Sequence, residues 1–169
     1  HKAWLMMLGL IATCAVCASQ DRITGMRRAT RSIVYGKSGA AATSHPLATQ
    51  AALDVLRRGG TAVDAAIAAN AVLCVCEPTG CGLGGELFAI AWDAKSQGRH
   101  GLNASGRSPQ TLTREWFEEN DHATIPKYGP LPLSVPGCVD GWFQLHDRFG
   151  KSPMRSLLRP AIRAAQEGV

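Results

Sequence analysis

The chain has 169 residues, enough for one domain with a sizeable core. At 46% hydrophobic and 18% charged it lies well away from the disordered class. Its formal charge of +5 comes from Lys and Arg spread along the chain, and aromatics make up only 6% of residues. With no aromatic-interleaved basic stripe and no stacking platform, nucleic acid is not expected as a partner.

In chain order, residues 1–25 read as a leader, signal-like or non-native, ahead of a body over 26–169. HKAWLMMLGLIATCAVCASQ has a basic start, an apolar run and small residues at its end, as a secretory signal does. The run is shorter than a spanning helix wants, so a membrane enters only if the leader is an anchor. If residues 1–20 are a signal, the protein is secreted, periplasmic or on the cell surface; if Met26 is the start, it is cytoplasmic. Cys14 and Cys17 have redox or zinc spacing but no second ligand pair, and read as coincidence.

SIVYG (32–36) and AAATS (40–44) are predicted as short strands or strand ends. Ser44 is the expected N-cap of a first helix, with Pro46 in its first turn and Gly59-Gly60 ending it. Thr61 caps a second helix, with Asp64 three residues on in a short-chain version of the capping box. The run AVDAAIAANAVLCVC is apolar nearly all round, so this helix is expected to be buried on most of its surface. Glu77-Pro78 closes it.

LFAIAWD (87–93) and RHGLNA (99–104) are predicted as a hairpin. Thr111 or Thr113 caps a short helix, CVDGWFQLHDRFG (138–150) is helical, and Ser152-Pro153 opens a last helical stretch broken at Pro160. Helices and hairpin strands alternate in an α+β, layered manner.

Several apparent motifs fail on their spacing. Gly36-Lys37-Ser38 and Gly150-Lys151-Ser152 spell the end of a phosphate loop, but Arg31 and Leu145 stand where its first glycine belongs. GCGLGG at 80–85 follows a helix and precedes a strand, the reverse of a dinucleotide fingerprint. Its glycines are read as packing residues that let the chain cross from a buried helix to the sheet. Glu86 should face solvent or a cation, because an unpaired carboxylate is not buried cheaply. His45, His100, His122 and His146 have no metal-pair spacing and read as surface or capping residues. Cys74, Cys76 and Cys81 lack a His at ligand spacing and read as small buried hydrophobes. No metal or organic cofactor is implied.

Three blocks taken together say more than any single motif. TSHPLATQAALDVLRRGGTAVDAAIAANAVLCVCEPTGCGLGGELFAIAWDAK, then GLNASGRSP, then PLSVPGCVDGWFQLHDRFGKSPMRSLLRPAIRAAQEG resemble the N-terminal, large-subunit part of the γ-glutamyltranspeptidase (glutathione hydrolase) family. The likeness runs from about Val34 to the last residue. It implies part of an αββα N-terminal-nucleophile hydrolase sandwich, made as a precursor that cuts itself into two subunits. The small subunit from the same precursor would be this chain's partner, and its N-terminal Thr would attack a γ-glutamyl or related amide of a small-molecule substrate.

The resemblance puts no catalytic residue in this segment, because the nucleophilic Thr is expected beyond residue 169. Thr43, Thr61, Thr79, Thr111 and Thr113 do not stand in the family's self-cleavage context. Residues 1–169 alone are therefore expected to be inactive. What the segment is expected to supply is substrate binding, through Asn103, Ser105 and Arg107. Many family members carry R-E-x-A-P after the hairpin, whose Arg grips the substrate carboxylate through a bidentate fork. Here Ser105 takes that place and Arg107 is displaced by two, a shift that keeps the same face of an extended segment. The departure leaves open a related amidase with another, cephalosporin-acylase-like, acyl preference, or a non-catalytic relative.

Overall fold

The computed structural model describes residues 34–169. The leader, the Cys14–Cys17 pair and residues 32–33 of the first expected strand lie outside the described residues. The elements belong to the unit Gly36–Val169. In order they are α1 (Pro46–Arg57), α2 (Ala62–Cys76), β1 (Leu87–Asp93), β2 (Gly98–Ala104), α3 (Arg114–Glu119), α4 (Cys138–Phe149) and α5 (Met154–Glu167). This is an α+β arrangement around an antiparallel two-stranded sheet.

α2 is the central element, packed on α1, α5 and α4. Its small side chains let these helices approach closely, and Ala65, Ile67, Ala68, Ala69, Ala71 and Val72 are all buried. Val55 of α1, Trp142 of α4 and Leu157 of α5 close over it. Each such larger apolar side chain stabilises the fold by roughly 1.5–3 kcal/mol.

The start of α2 is held by more than its local cap. Thr61 Oγ1 accepts from the Asp64 N–H at 3.0 Å, and Asp64 Oδ2 accepts from the Thr61 N–H at 2.9 Å. The same carboxylate, 0% exposed, also accepts from the Lys151 N–H at 3.1 and 3.2 Å and the Ser152 N–H at 3.1 Å. Burial pushes this carboxyl up, but the hydrogen bonds from Thr61, Lys151 and Ser152 outweigh it and hold the group below its ordinary value. The Gly150-Lys151-Ser152 sequence thus presents backbone N–H groups to an anion after all, and the anion is the chain's own carboxylate.

β1 and β2 pair from Leu87 opposite Ala104 to Asp93 opposite Gly98. α4 lies against one face of this hairpin. Gly141 sets that distance: a Cβ there would stand 2.8 Å from the Ala104 Cβ and 3.1 Å from Leu87 Cδ2. The other face carries Phe88, Ile90 and Trp92, which are 67%, 85% and 59% exposed.

Four expectations need correction. Residues 40–44, and the described part of 32–36, form no strand, because among the described residues they have no strand to pair with. Ser44 does not cap α1. Its hydroxyl donates to Glu77 Oε2 at 2.6 Å, and the N-cap is His45, whose Nδ1 accepts from the Leu47 N–H at 3.3 Å. Pro160 does not break α5, which runs through it to Glu167. Leu157 and Ala161, four residues apart on one stripe, are buried, and that packing offsets the lost hydrogen bond. Cys74, Cys76 and Cys81 are only half-buried, while Cys138 is fully buried.

Candidate functional site

A cleft of about 1220 Å³ opens between residues 38–43, α2 and the 78–89 segment, with Asn70, Cys81, Leu87 and Trp142 in its wall. Gly80, Gly82, Gly84 and Gly85 all border it. Added Cβ atoms at Gly80, Gly82 and Gly84 would meet nothing within 4 Å, so no close contact among the described residues requires glycine there. This corrects the packing role expected of these three, which line an open wall instead; at Gly85 a Cβ would come 3.3 Å from Gly82 O. The Gly80 and Cys81 N–H groups donate to Glu77 O at 3.0 and 3.1 Å, and at the far end of the loop the Gly137 and Cys138 N–H groups donate to Gly85 O at 3.1 and 3.0 Å. Glu86 is exposed, as expected, and accepts from Ser134 Oγ at 3.0 Å rather than meeting a cation.

Behind the loop stands Asn70, which links three elements. Its Oδ1 accepts from Trp142 Nε1 at 2.8 Å and from Cys138 Sγ at 3.7 Å, both on α4. Its Nδ2 donates to Cys81 Sγ at 3.2 Å, on the loop. One amide therefore fixes the spacing of α2, α4 and the cleft wall. Asn70 was not singled out from sequence. The available signal was a polar residue in the middle of a helix that is otherwise apolar and small.

Asn103 lies near the end of β2, Ser105 and Arg107 follow the strand directly, and all three are exposed. Asn103 Oδ1 accepts from the Ser105 N–H at 3.0 Å, a local turn that orders the segment. Gly106 between them is half-buried, so Ser105 and Arg107 share the outward side. The segment is held by Val135, whose N–H donates to Arg107 O at 3.0 Å. A Cβ on Gly106 would fall 1.4 Å from Val135 O, so only glycine fits that crossing. Among the described residues, the Arg107 guanidinium makes no ion pair. None of the three residues lines the cleft.

Residues 48–169 match the profile of the Gamma-glutamyltranspeptidase family, well over half of the chain. The chain belongs to that family. It is 33% identical over 142 residues to the glutathione hydrolase proenzyme of Bacillus subtilis (strain 168), covering 82% of this chain and 24% of that protein. The crystal structure of cephalosporin acylase from Bacillus halodurans superposes with a TM-score of 0.76 at 43% identity, over 88% of this chain and 28% of that one. The γ-glutamyltranspeptidase of Helicobacter pylori gives a TM-score of 0.75 at 32% identity, over 82% of this chain and 40% of that one. The chain thus spans about a quarter of the length of its curated relative.

Proposed function

We propose that this chain is the large-subunit part of an N-terminal-nucleophile acyl hydrolase or transferase that cleaves γ-glutamyl amides such as glutathione. A Thr beyond residue 169, freed by self-cleavage of the precursor, attacks the amide carbonyl, with its own α-amine as general base. The γ-glutamyl group is then passed from the Thr oxygen to water or to an acceptor amine. The described residues perform none of these bond changes. Their part is to position the acyl group.

The observation that carries this reading is Arg107. It is exposed, follows the hairpin directly, and makes no ion pair among the described residues. A guanidinium in that state is available for bidentate capture of the substrate carboxylate. Asn103 and Ser105, beside it, supply further polar contacts to the same end of the acyl group. The outward face of the hairpin supports the architecture. Phe88, Ile90 and Trp92 form the kind of apolar stripe that the second sheet of an αββα sandwich covers, and the small subunit of the same precursor would bring that sheet.

A second reading is favoured by a specific observation: identity is higher with the B. halodurans cephalosporin acylase than with the B. subtilis hydrolase, and Arg107 is displaced from the usual place. In this reading the acyl group is not γ-glutamyl.

The full precursor settles both. N-terminal sequencing should show two chains, the second beginning with Thr; a single uncut chain would sink the enzyme reading. Turnover is then compared on a γ-glutamyl amide and on its glutaryl counterpart, which keeps the carboxylate and lacks the α-amine. Preference for the former supports the first reading, and preference for the latter the second. In either case Arg107→Ala should raise KM by roughly 10–100-fold with self-cleavage intact. An unchanged KM would remove Arg107 from the site.

A further inference from the structure

The six cysteines have no part in the chemistry above, yet Cys81 and Cys138 both bond to Asn70 and Cys74 meets Cys81 beside them. Cys74 Sγ and Cys81 Sγ stand 3.4 Å apart, one on the last turns of α2 and the other on the glycine loop. Cys138 Sγ, on α4, donates to Asn70 Oδ1 at 3.7 Å. Among the described residues no group of three His, Cys, Asp or Glu side chains is placed to hold a metal ion, which leaves thiol chemistry for the cluster.

We propose that Cys74 and Cys81 are a dithiol–disulfide site that takes low-molecular-weight disulfides, and that its oxidation ties the glycine loop to α2 along the cleft wall.

Three observations carry it. The two sulfurs are already in contact, so bond formation needs only a small approach. A disulfide needs its two sulfurs brought to about 2 Å, and here they start 3.4 Å apart. The start of the loop holds Cys81 beside the end of α2, since the Gly80 and Cys81 N–H groups donate to the carbonyl of Glu77, the C-cap of that helix, at 3.0 and 3.1 Å. Finally, access is one-sided: Cys81 lines the open cleft, whereas Cys74 does not. An incoming disulfide therefore meets Cys81 first.

The exchange is balanced by the small disulfide itself. The Cys81 thiolate attacks one sulfur of RSSR, the S–S bond breaks, and RS⁻ leaves and takes up a proton. Cys81 now carries SR. The Cys74 sulfur gives its proton to solvent base and attacks Cys81 Sγ, forming the intramolecular bond and expelling the second RS⁻. Two cysteine thiols are oxidised and one RSSR is reduced to two RSH.

Cys74 is well suited to act second. Burial, with the Cys81 hydrogen bond and the charges of Cys81 and Cys138, pushes its thiol up to about 12. It stays protonated and inert towards solution reagents until Cys81 is capped, when the Cys81 contributions disappear. Cys138 is 1% exposed and engaged with Asn70, which keeps it out of the exchange. The chemistry does not depend on acyl specificity.

The test uses the full-length protein, reduced, then exposed to hydroxyethyl disulfide under native conditions and mapped by peptide mass spectrometry. The expected result is a Cys74–Cys81 bond at least about tenfold more abundant than a bond from either residue to Cys76 or Cys138, reversed by dithiothreitol. Cys74→Ser should instead trap a stable mixed disulfide on Cys81, and Cys81→Ser should leave Cys74 unmodified. A Cys81 adduct that persists in the wild-type protein would overturn the proposal. So would pairing of Cys81 with Cys138, or the absence of any reaction at Cys81.

Discussion

Ile67 sits at the middle of α2 and is 1% exposed; Ile90 sits at the middle of β1 and is 85% exposed. The two residues have the same side chain and opposite fates because their elements have different neighbours. α2 finds α1, α4 and α5 within this chain, so its apolar surface is covered on nearly every side. Among the described residues the hairpin packs on α4 with one face and leaves Phe88, Ile90 and Trp92 exposed on the other. An apolar stripe on a sheet costs solubility and invites pairing unless something covers it. α2 is therefore covered within this chain, and the outer face of the hairpin is not.

That contrast can be attacked from either side. The largest effect is expected at the clamp of the helical layer. Asp64→Ala strands the Thr61, Lys151 and Ser152 N–H groups and should cost about 3–4 kcal/mol of stability in urea unfolding. A loss under about 1 kcal/mol would show that the clamp is not integral to the layer. Next comes the open face. If the proposed second sheet covers this face, Ile90→Lys should cost the full precursor about 2–3 kcal/mol by burying an ammonium, yet change residues 1–169 by less than about 0.5 kcal/mol. Equal effects in both would mean that nothing covers this face.

The join between the two regions gives a smaller effect. Gly141→Ala forces α4 away from Ala104 and Leu87 and should cost about 1–2 kcal/mol, measured by thermal melting against the wild type. The mildest is a pH effect. Because the Asp64 carboxyl is held below its unfolded value, its contribution is fully present above about pH 4 and is lost as pH falls through the lower folded value. Wild-type stability should therefore decline on that acid limb, and the Asp64→Asn curve should be flatter there; parallel curves would count against the charged clamp.

How much of this was legible in sequence varied with how local the cause was. β1 was read at 87–93 and occurs at Leu87–Asp93, because alternation of apolar residues is set within the strand itself. Thr61 and Asp64 were read as a capping box from three-residue spacing, and both of its hydrogen bonds are present. The rest of Asp64's role was invisible, since Lys151 and Ser152 are brought to it only by the packing of α5 on α2. Ser44 has the right chemistry for an N-cap but is drawn to Glu77, 33 residues away. Pro160 has a strong local preference against a helix interior, and the burial of Leu157 and Ala161 overrides it. Of the expected substrate contacts, the sequence placed Asn103, Ser105 and Arg107 on one short segment. Their alternating exposure about Gly106 matches that spacing, while the hub at Asn70 depended on side chains from α4 and the loop that no local pattern reveals.

The Asp64 clamp also bears on how the chain comes off the ribosome. Its partners lie 87 and 88 residues further along, so at about 5–20 residues per second the N-terminus of α2 waits some 4–18 s for Lys151 and Ser152 to be made. Throughout that interval Thr61 is its one stop, and the Ala-rich flank that α5 will cover stays bare. A chaperone that favours short apolar helices would have its best opportunity in that window, before α5 is made and closes it.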